Sequence, residues 1–344
     1  MGANDKIGVA IQGAGTVSAG HLRAYLRNPN CEVVAIGSRT KEGAAAKARE
    51  VGIDPSAISL YDSVDDIAGD SRIDAVSITS PNARHPIDAI TLANAGKHIL
   101  VEKPVAMNPD ELVAMEKAVT NAAVKSVCGF VLRYNPMVET TKSLIDSGLL
   151  GDVLYVQADY WHNTEQSGYP NQEDHIRRMD TSAMMLGGCH AVDLARFLMG
   201  SDIVSVSSVE TRHDPQAPFP TMQSAVVKFA NGRIGKISAC VEHWMPYQFN
   251  VDVLGTEGGV RDNRFYTRSL TGAHDFATFP TETPNSGLVS HHPFDGEIGH
   301  FLNCILTDTE SHANVHDAVN THLAVFAIDQ SCARNGESVA VPSS

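Results

Sequence analysis

The segment Ile7-Gly8-Val9-Ala10-Ile11-Gln12-Gly13-Ala14-Gly15-Thr16-Val17-Ser18 decides the reading of the fold. Ile7, Val9 and Ile11 form a β-prone run, and Leu22, Tyr25 and Leu26 follow at helical spacing, so the order is strand, glycine turn, helix. Gly13 allows the tight turn, and Gly15 lets backbone approach a pyrophosphate, with Ala14 between them. Thr16 and Val17 then open a helix whose free N–H groups and positive dipole end attract an anion. Ser18 holds the third glycine position; it is small enough for helix-on-strand packing but departs from the strict spacing.

A second strand, Glu32 to Ile36, ends at Gly37-Ser38-Arg39. An acidic residue roughly 20 positions past the glycine turn would hydrogen-bond the ribose 2′-OH of NAD. Ser38 and Arg39 stand there instead, and a hydroxyl beside a guanidinium suits a 2′-phosphate, with charged hydrogen bonds contributing roughly 1.5–3 kcal/mol. NADP(H) is therefore favoured over NAD(H). The alternative is that Arg39 stacks on adenine or lies in solvent.

The alternation continues outward from this start. Helices are expected over Lys41 to Val51, Val64 to Ala68, Ile87 to Ala95 and Pro109 to Ala122, with strands at Ile58 to Leu60, Asp74 to Thr79, Ile99 to Val101 and Ser126 to Leu132. This is a doubly wound α/β domain with a parallel sheet. The loop Ser80-Pro81-Asn82 with His85 follows the fourth strand, and Glu102 and Lys103 end the fifth, where ligands of such sheets bind. Lys103 reads as a working lysine; the bland alternative is a solvated loop residue.

Composition excludes several classes. Over 344 residues, 26 Lys and Arg stand against 40 Asp and Glu, a formal charge of −14, which repels nucleic-acid backbones and anionic membranes. No run approaches the roughly 20 apolar residues of a membrane span. The six cysteines are scattered with no Cys-x-x-Cys pair, as expected of reduced thiols in the cytoplasm, and the polar start before Ile7 leaves no room for a signal peptide. His291-His292 lacks a third ligand at a telling spacing, so no metal is expected.

The chain resembles the glucose–fructose oxidoreductase / inositol dehydrogenase / MocA group of NAD(P)-dependent oxidoreductases. The resemblance rests on Gly13-Ala14-Gly15, Ser80-Pro81-Asn82 with His85, Glu102-Lys103-Pro104, Arg133-Tyr134-Asn135-Pro136 and Gly188-Cys189-His190-Ala191-Val192-Asp193. It implies a Rossmann domain, here residues 1–128, and an α+β substrate and oligomerisation domain with a large, mainly antiparallel open sheet, here 129–344. It further implies a sugar, polyol or sugar-derivative substrate, Lys103 holding the reacting oxygen, His190 moving its proton, and dimers or tetramers formed through the C-terminal sheet. Many members carry an aspartate four residues before that histidine; Leu186 stands there, and Asp193 at i+3 is the candidate substitute. Some similar proteins use bound NAD to cleave glycosidic bonds without net redox, and a non-catalytic cofactor-binding regulator is a third reading.

Beyond the first domain, the run Val153 to His162 alternates as a strand and ends in Tyr160-Trp161-His162, an aromatic platform for a sugar ring or else a core or interface cluster. The polar stretch Asn163 to Asp180 reads as a loop over the substrate, with His175 a candidate contact, as is His292 farther on. A helix is expected over Thr181 to Met199, carrying His190. Alternating segments from Val204 to Leu254 predict an antiparallel sheet with a hairpin at Asn231-Gly232, followed by helices over Gly296 to Leu306 and Val315 to Arg334.

Overall fold

The computed structural model describes residues 6–163, 177, 179–272, 274–284 and 292–343. They fall into two units, Met1–Val131 with Pro293–Val319, and Leu132–His292 with Asn320–Ser344. In the first unit, strands β1 (Ile7–Gln12), β2 (Cys31–Gly37), β3 (Ser59–Tyr61), β4 (Ala75–Ile78), β5 (His98–Val101) and β6 (Ser126–Cys128) form a parallel sheet in the order β3-β2-β1-β4-β5-β6. Helices α1 (Ser18–Arg27), α2 (Lys41–Glu50), α3 (Val64–Gly69), α4 (His85–Asn94) and α5 (Pro109–Ala122) connect them. Ile7, Val9, Ile11, Val76 and Leu100 are wholly buried, as the strands of a sheet covered on both faces must be.

Local chemistry sets the helix ends. Thr40 and Asn108 accept hydrogen bonds from Gly43 N and Glu111 N and so cap α2 and α5, satisfying N–H groups that the helices leave open. Gly96, with φ +76°, supplies the left-handed residue beyond α4. Helix α4 begins at His85, two residues before the expected start, because Pro86 is accommodated in its first turn. The last strand stops at Cys128 rather than reaching Leu132; the chain turns at Gly129, where a Cβ would lie 3.0 Å from the Glu102 carboxyl.

The sequence-based division at 128/129 also misses a return of the chain. Helix α8 (Phe294–Thr307) buries Phe294, Glu297, Ile298 and Phe301 and packs on α1, where a Cβ on Gly20 would lie 2.6 Å from the Phe294 ring. Residues 313–315 then cover the edge at β6: Cys128 N donates to Ala313 O at 2.7 Å and Val315 N to Ser126 Oγ at 3.1 Å. An exposed strand edge is thereby closed.

The second unit holds α6 (Pro136–Asp146), β7 (Val153–Trp161), α7 (Cys189–Met199), β8 (Ile203–Thr211), β9 (Met222–Phe229), β10 (Ile234–Cys240), β11 (Gln248–Gly255), β12 (Gly258–Arg261), β13 (Arg264–Thr267), β14 (Ala277–Thr278) and β15 (Val339–Ala340). The sheet order is β14-β13-β12-β11-β7-β10-β9-β8-β15. Among the described residues of this sheet, only β7 and β10 pair in parallel; the other pairings are antiparallel. The β9–β10 turn places Gly232 at φ +83°, as Asn231-Gly232 predicts. Helix α7 packs on β7 and β10, so Val156, Ala158, Ile237 and Ala239 are buried, while Val209, Val226, Ile234 and Leu254 on the opposite face are more than half exposed. Helix α9 (Val315–Ala333) runs through the division at Val319.

Candidate functional site

The strand order reverses between β1 and β4, and there the glycine turn meets the loop after β4. Gly13 has φ +107°, and a Cβ on it would lie 2.4 Å from Ser80 N, so only glycine fits. Thr79 Oγ1 donates to Gly13 O at 2.6 Å and locks the two loops together. Gly15 differs: a Cβ there would meet only Thr79 O, at 3.7 Å, so the protein alone does not require glycine at that point. A ligand running along the turn does require it. Val17 provides no capping side chain, leaving the first N–H groups of α1 open to an anion.

These elements border a cavity of about 770 Å³ lined by Gly13, Ala14, Gly15, Ser38, Arg39, Ser80 and Pro81. Gln12, Asp62, Ser63, Val64, Asp65, Thr79, Arg84 and Asp88 line it too. Arg39 is exposed and makes no hydrogen bond or ion pair among the described residues. Asp88, wholly buried, accepts from Ser80 Oγ at 2.8 Å and Arg84 at 2.7 Å, bracing the loop. Nothing in its sequence neighbourhood signalled that role. Thr16, Val17, Asn82, His85, Glu102 and Lys103 lie outside this lining.

His85 serves the fold of the loops rather than presenting a free ring. It is 1 % exposed, and its Nδ1 and Nε2 lie 2.8 Å from Pro104 O and Ser80 O, tying the two loops together. Glu102, at the end of β5, accepts from Lys103 N at 3.1 Å and pairs through Oε1 with His21 Nε2 at 3.0 Å. Burial alone would raise the Glu102 carboxyl, but the His21 hydrogen bond and the charges of His21, Lys103 and His85 outweigh it and hold it below its ordinary range. Glu297 of α8 completes a buried trio: one ligand atom from each of His21, Glu102 and Glu297 lies within 4.8 Å of the others. Two like charges at that separation repel by roughly 3.5 kcal/mol at an effective dielectric of about 20.

In the second unit, His190 sits in the first turn of α7, 4 % exposed, with its ring stacked on Tyr160 at 6.3 Å. The expected helix from Thr181 is interrupted by a π-helical turn, Met184–Gly188, a distortion that recurs at functional sites. A Cβ on Gly187 would lie 2.1 Å from the Tyr160 ring, so the glycine permits the close approach. Tyr160 Oη and His162 Nδ1 are 2.8 Å apart, and Tyr247 and Phe249 pack edge-on against Tyr160 at 5.6 and 6.5 Å. Strand alternation breaks up the Tyr160-Trp161-His162 platform: Trp161 projects to the other face, where its Nε1 donates to Ser238 Oγ at 3.1 Å. Tyr247, with a buried hydroxyl and a pKa pushed up by burial, was not visible in sequence because it reaches Tyr160 from another strand region.

Asp193, the expected substitute for the missing aspartate, is held in a buried ion pair. Its two oxygens accept from Arg133 Nε at 2.7 Å and Nη2 at 2.5 Å, both side chains 2 % exposed, and Thr321 adds a contact at 3.4 Å. The i, i+3 spacing from His190 thus serves a buried ion pair with the segment before α6. His292 is half-buried and directly precedes Pro293. His175 lies outside the described residues. All six cysteines are free and buried, and no described helix is long and apolar enough to cross a membrane.

The parallel sheet with a glycine cradle at its switch point defines a Rossmann-type dinucleotide-binding protein. Residues 7–130 match the oxidoreductase family with an NAD-binding Rossmann fold, and residues 138–261 match the GFO/IDH/MocA C-terminal domain; the chain belongs to this family. It is 30% identical over 239 residues to an uncharacterised oxidoreductase of Rhizobium meliloti, covering 70% of this chain and 69% of that one. It is 26% identical over 305 residues to a scyllo-inositol 2-dehydrogenase (NAD(+)) of Bacillus subtilis, covering 86% and 85%. A D-xylose 1-dehydrogenase (NADP(+)) of Haloferax volcanii is 27% identical over 310 residues, covering 87% and 89%. Among solved structures, levoglucosan dehydrogenase in complex with NADH and levoglucosan superposes with a TM-score of 0.87 at 24% identity over 98% of this chain and 100% of that one, a likeness of fold.

Proposed function

We propose that the protein is an NAD(P)-dependent oxidoreductase that interconverts a secondary alcohol and a ketone on a sugar, polyol or sugar derivative. The observation that carries this reading is the cavity running from the Gly13–Gly15 turn to Ser38 and Arg39 at the carboxyl ends of the strands, the place and shape a dinucleotide needs. The inositol, xylose and levoglucosan dehydrogenases among the relatives support the substrate class. So does the Tyr160–Tyr247–His162 group, which offers ring faces and hydroxyl and imidazole hydrogen bonds together.

When bound, the nicotinamide supplies the hydride acceptor or donor. The backbone of Gly13 to Val17 and the start of α1 hold the pyrophosphate, and Ser38 with Arg39 hold the adenosine end. NADP(H) is favoured by that hydroxyl and guanidinium, and Asp62 and Asp65, lining the same cavity, make the comparison with NAD(H) a real test. Lys103 donates a hydrogen bond to the reacting oxygen and stabilises the developing alkoxide; His190 takes the proton in oxidation and returns it in reduction. Titrating the protein with NADPH and NADH, then assaying a panel of sugars and inositols, tests the reading. Lys103→Met is expected to lower kcat by about 10²–10⁴-fold, the usual contribution of a positioned proton-handling group, with cofactor affinity retained. Near-normal turnover in that variant removes Lys103 from the reaction.

The function extends to assembly. We infer a dimer or tetramer formed through the exposed face of the nine-stranded sheet, where Val209, Val226, Ile234 and Leu254 stand on neighbouring strands. The cytoplasm is the proposed compartment, on the strength of six free thiols.

A further inference from the structure

Glu297 is the least explained polar group in the first unit. It is wholly buried, neither carboxyl oxygen has a hydrogen-bond partner, and it lies on α8, away from the cavity lining. It faces Glu102 and His21 within the 4.8 Å cluster. The two carboxyls have opposite surroundings. Glu102 receives hydrogen bonds from His21 and from the Lys103 backbone, with Lys103 and His85 nearby; Glu297 receives none. Buried carboxyls this close do not both ionise, and the one without donors keeps the proton.

We propose that Glu297 is a buried acid that holds a proton while Glu102 stays ionised, and that this single negative charge, paired with His21, positions Lys103. The geometry gives the route: His21 fixes one oxygen of Glu102, and the other oxygen accepts the Lys103 N–H. A second charge at Glu297 would compete for His21 and disturb that grip. The direction of the titration agrees, since burial first and the Glu102 charge second push Glu297 well above its ordinary value.

The consequence for stability has a definite sign. In the unfolded chain Glu297 loses its proton near pH 4.3, whereas the folded chain keeps it to higher pH. Between those two points the folded state binds the extra proton, so stability falls as pH rises. Glu297→Gln is neutral at every pH and lacks this loss. The melting temperature of E297Q minus that of the unmodified protein is therefore expected to increase as pH rises above about 5. In infrared spectra taken above the ordinary carboxyl range, the carbonyl stretch of one protonated carboxyl should disappear in E297Q. If Gln does not fold, Glu297→Met carries the same comparison.

A pH-independent difference in melting temperature, or an E297Q that falls further behind as pH rises, overturns the proposal. So does a divalent cation found with the purified protein whose removal by chelator lowers the melting temperature of the unmodified chain but not of E297Q, since His21, Glu102 and Glu297 would then be its ligands. These measurements need neither substrate nor cofactor and stand apart from the proposed reaction. The positioning role rests on that reaction and has its own arm: Glu102→Gln, which removes the single charge, should lower kcat about tenfold, an effect of about 1.4 kcal/mol on the barrier, with KM for cofactor unchanged and with a loss several times larger than in E297Q. An unchanged kcat in Glu102→Gln, or a loss in E297Q as large as in Glu102→Gln, overturns the positioning role.

Discussion

Asp193 shows how a residue's spacing can point one way and its contacts another. Three positions after His190 on the same helix, it looks like a relay partner, yet both its oxygens accept from Arg133 in a pocket where each side chain is 2 % exposed. Removing one member of such a pair leaves an uncompensated buried charge. Asp193→Asn is expected to cost about 3–5 kcal/mol of stability, measured by denaturant unfolding. A variant of normal stability with a collapsed turnover number would instead restore Asp193 to proton transfer. The tight turn at Gly13 was legible from the sequence because a glycine turn between strand and helix fixes backbone geometry locally. Asp88, Glu297 and Tyr247 were not, since each acquires its role from groups distant in sequence.

At the scale of elements, the turn Met184–Gly188 before α7 carries the most consequence for the site. Helix α7 brings His190 onto the Tyr160 ring, and Gly187 allows the preceding turn to lie against that same ring. Adding one methyl there has no free space to occupy. Gly187→Ala should destabilise the protein by about 1–3 kcal/mol through overpacking and should raise KM for substrate as Tyr160 is displaced. Thermal unfolding and steady-state kinetics check both parts; a variant with unchanged stability and KM refutes the close packing. The expected strand and helix segments of the first unit appear within a few residues of their positions, since period and capping are local signals. The short strands β12 to β15 and helix α6 were absent from the expectation; the two-residue strands β14 and β15 exist because a neighbouring strand edge is there to pair with.

Across the whole molecule, the nine-stranded sheet has one face under α7 and another bearing Val209, Val226, Ile234 and Leu254 toward solvent. Apolar side chains grouped on adjacent strands are what a second copy would cover, and a stable interface of about 1,200–2,000 Å² could be built on such a face. Val226→Glu together with Ile234→Lys is expected to shift the sedimentation coefficient from oligomer to monomer while leaving the first unit's cofactor binding intact. An unchanged sedimentation profile places the interface elsewhere. By itself the sequence determined the parallel nucleotide-binding half, the mainly antiparallel character of the rest and the glycine turn after the first strand, because hydrophobic period, turn chemistry and glycine geometry act over a few neighbouring positions. Tertiary structure alone decided that residues 293–319 return to the first unit, that Trp161 turns away from Tyr160, that Arg133 claims Asp193, and that Glu297 meets Glu102. Those outcomes depend on which distant surfaces exclude water together, and no local pattern encodes them.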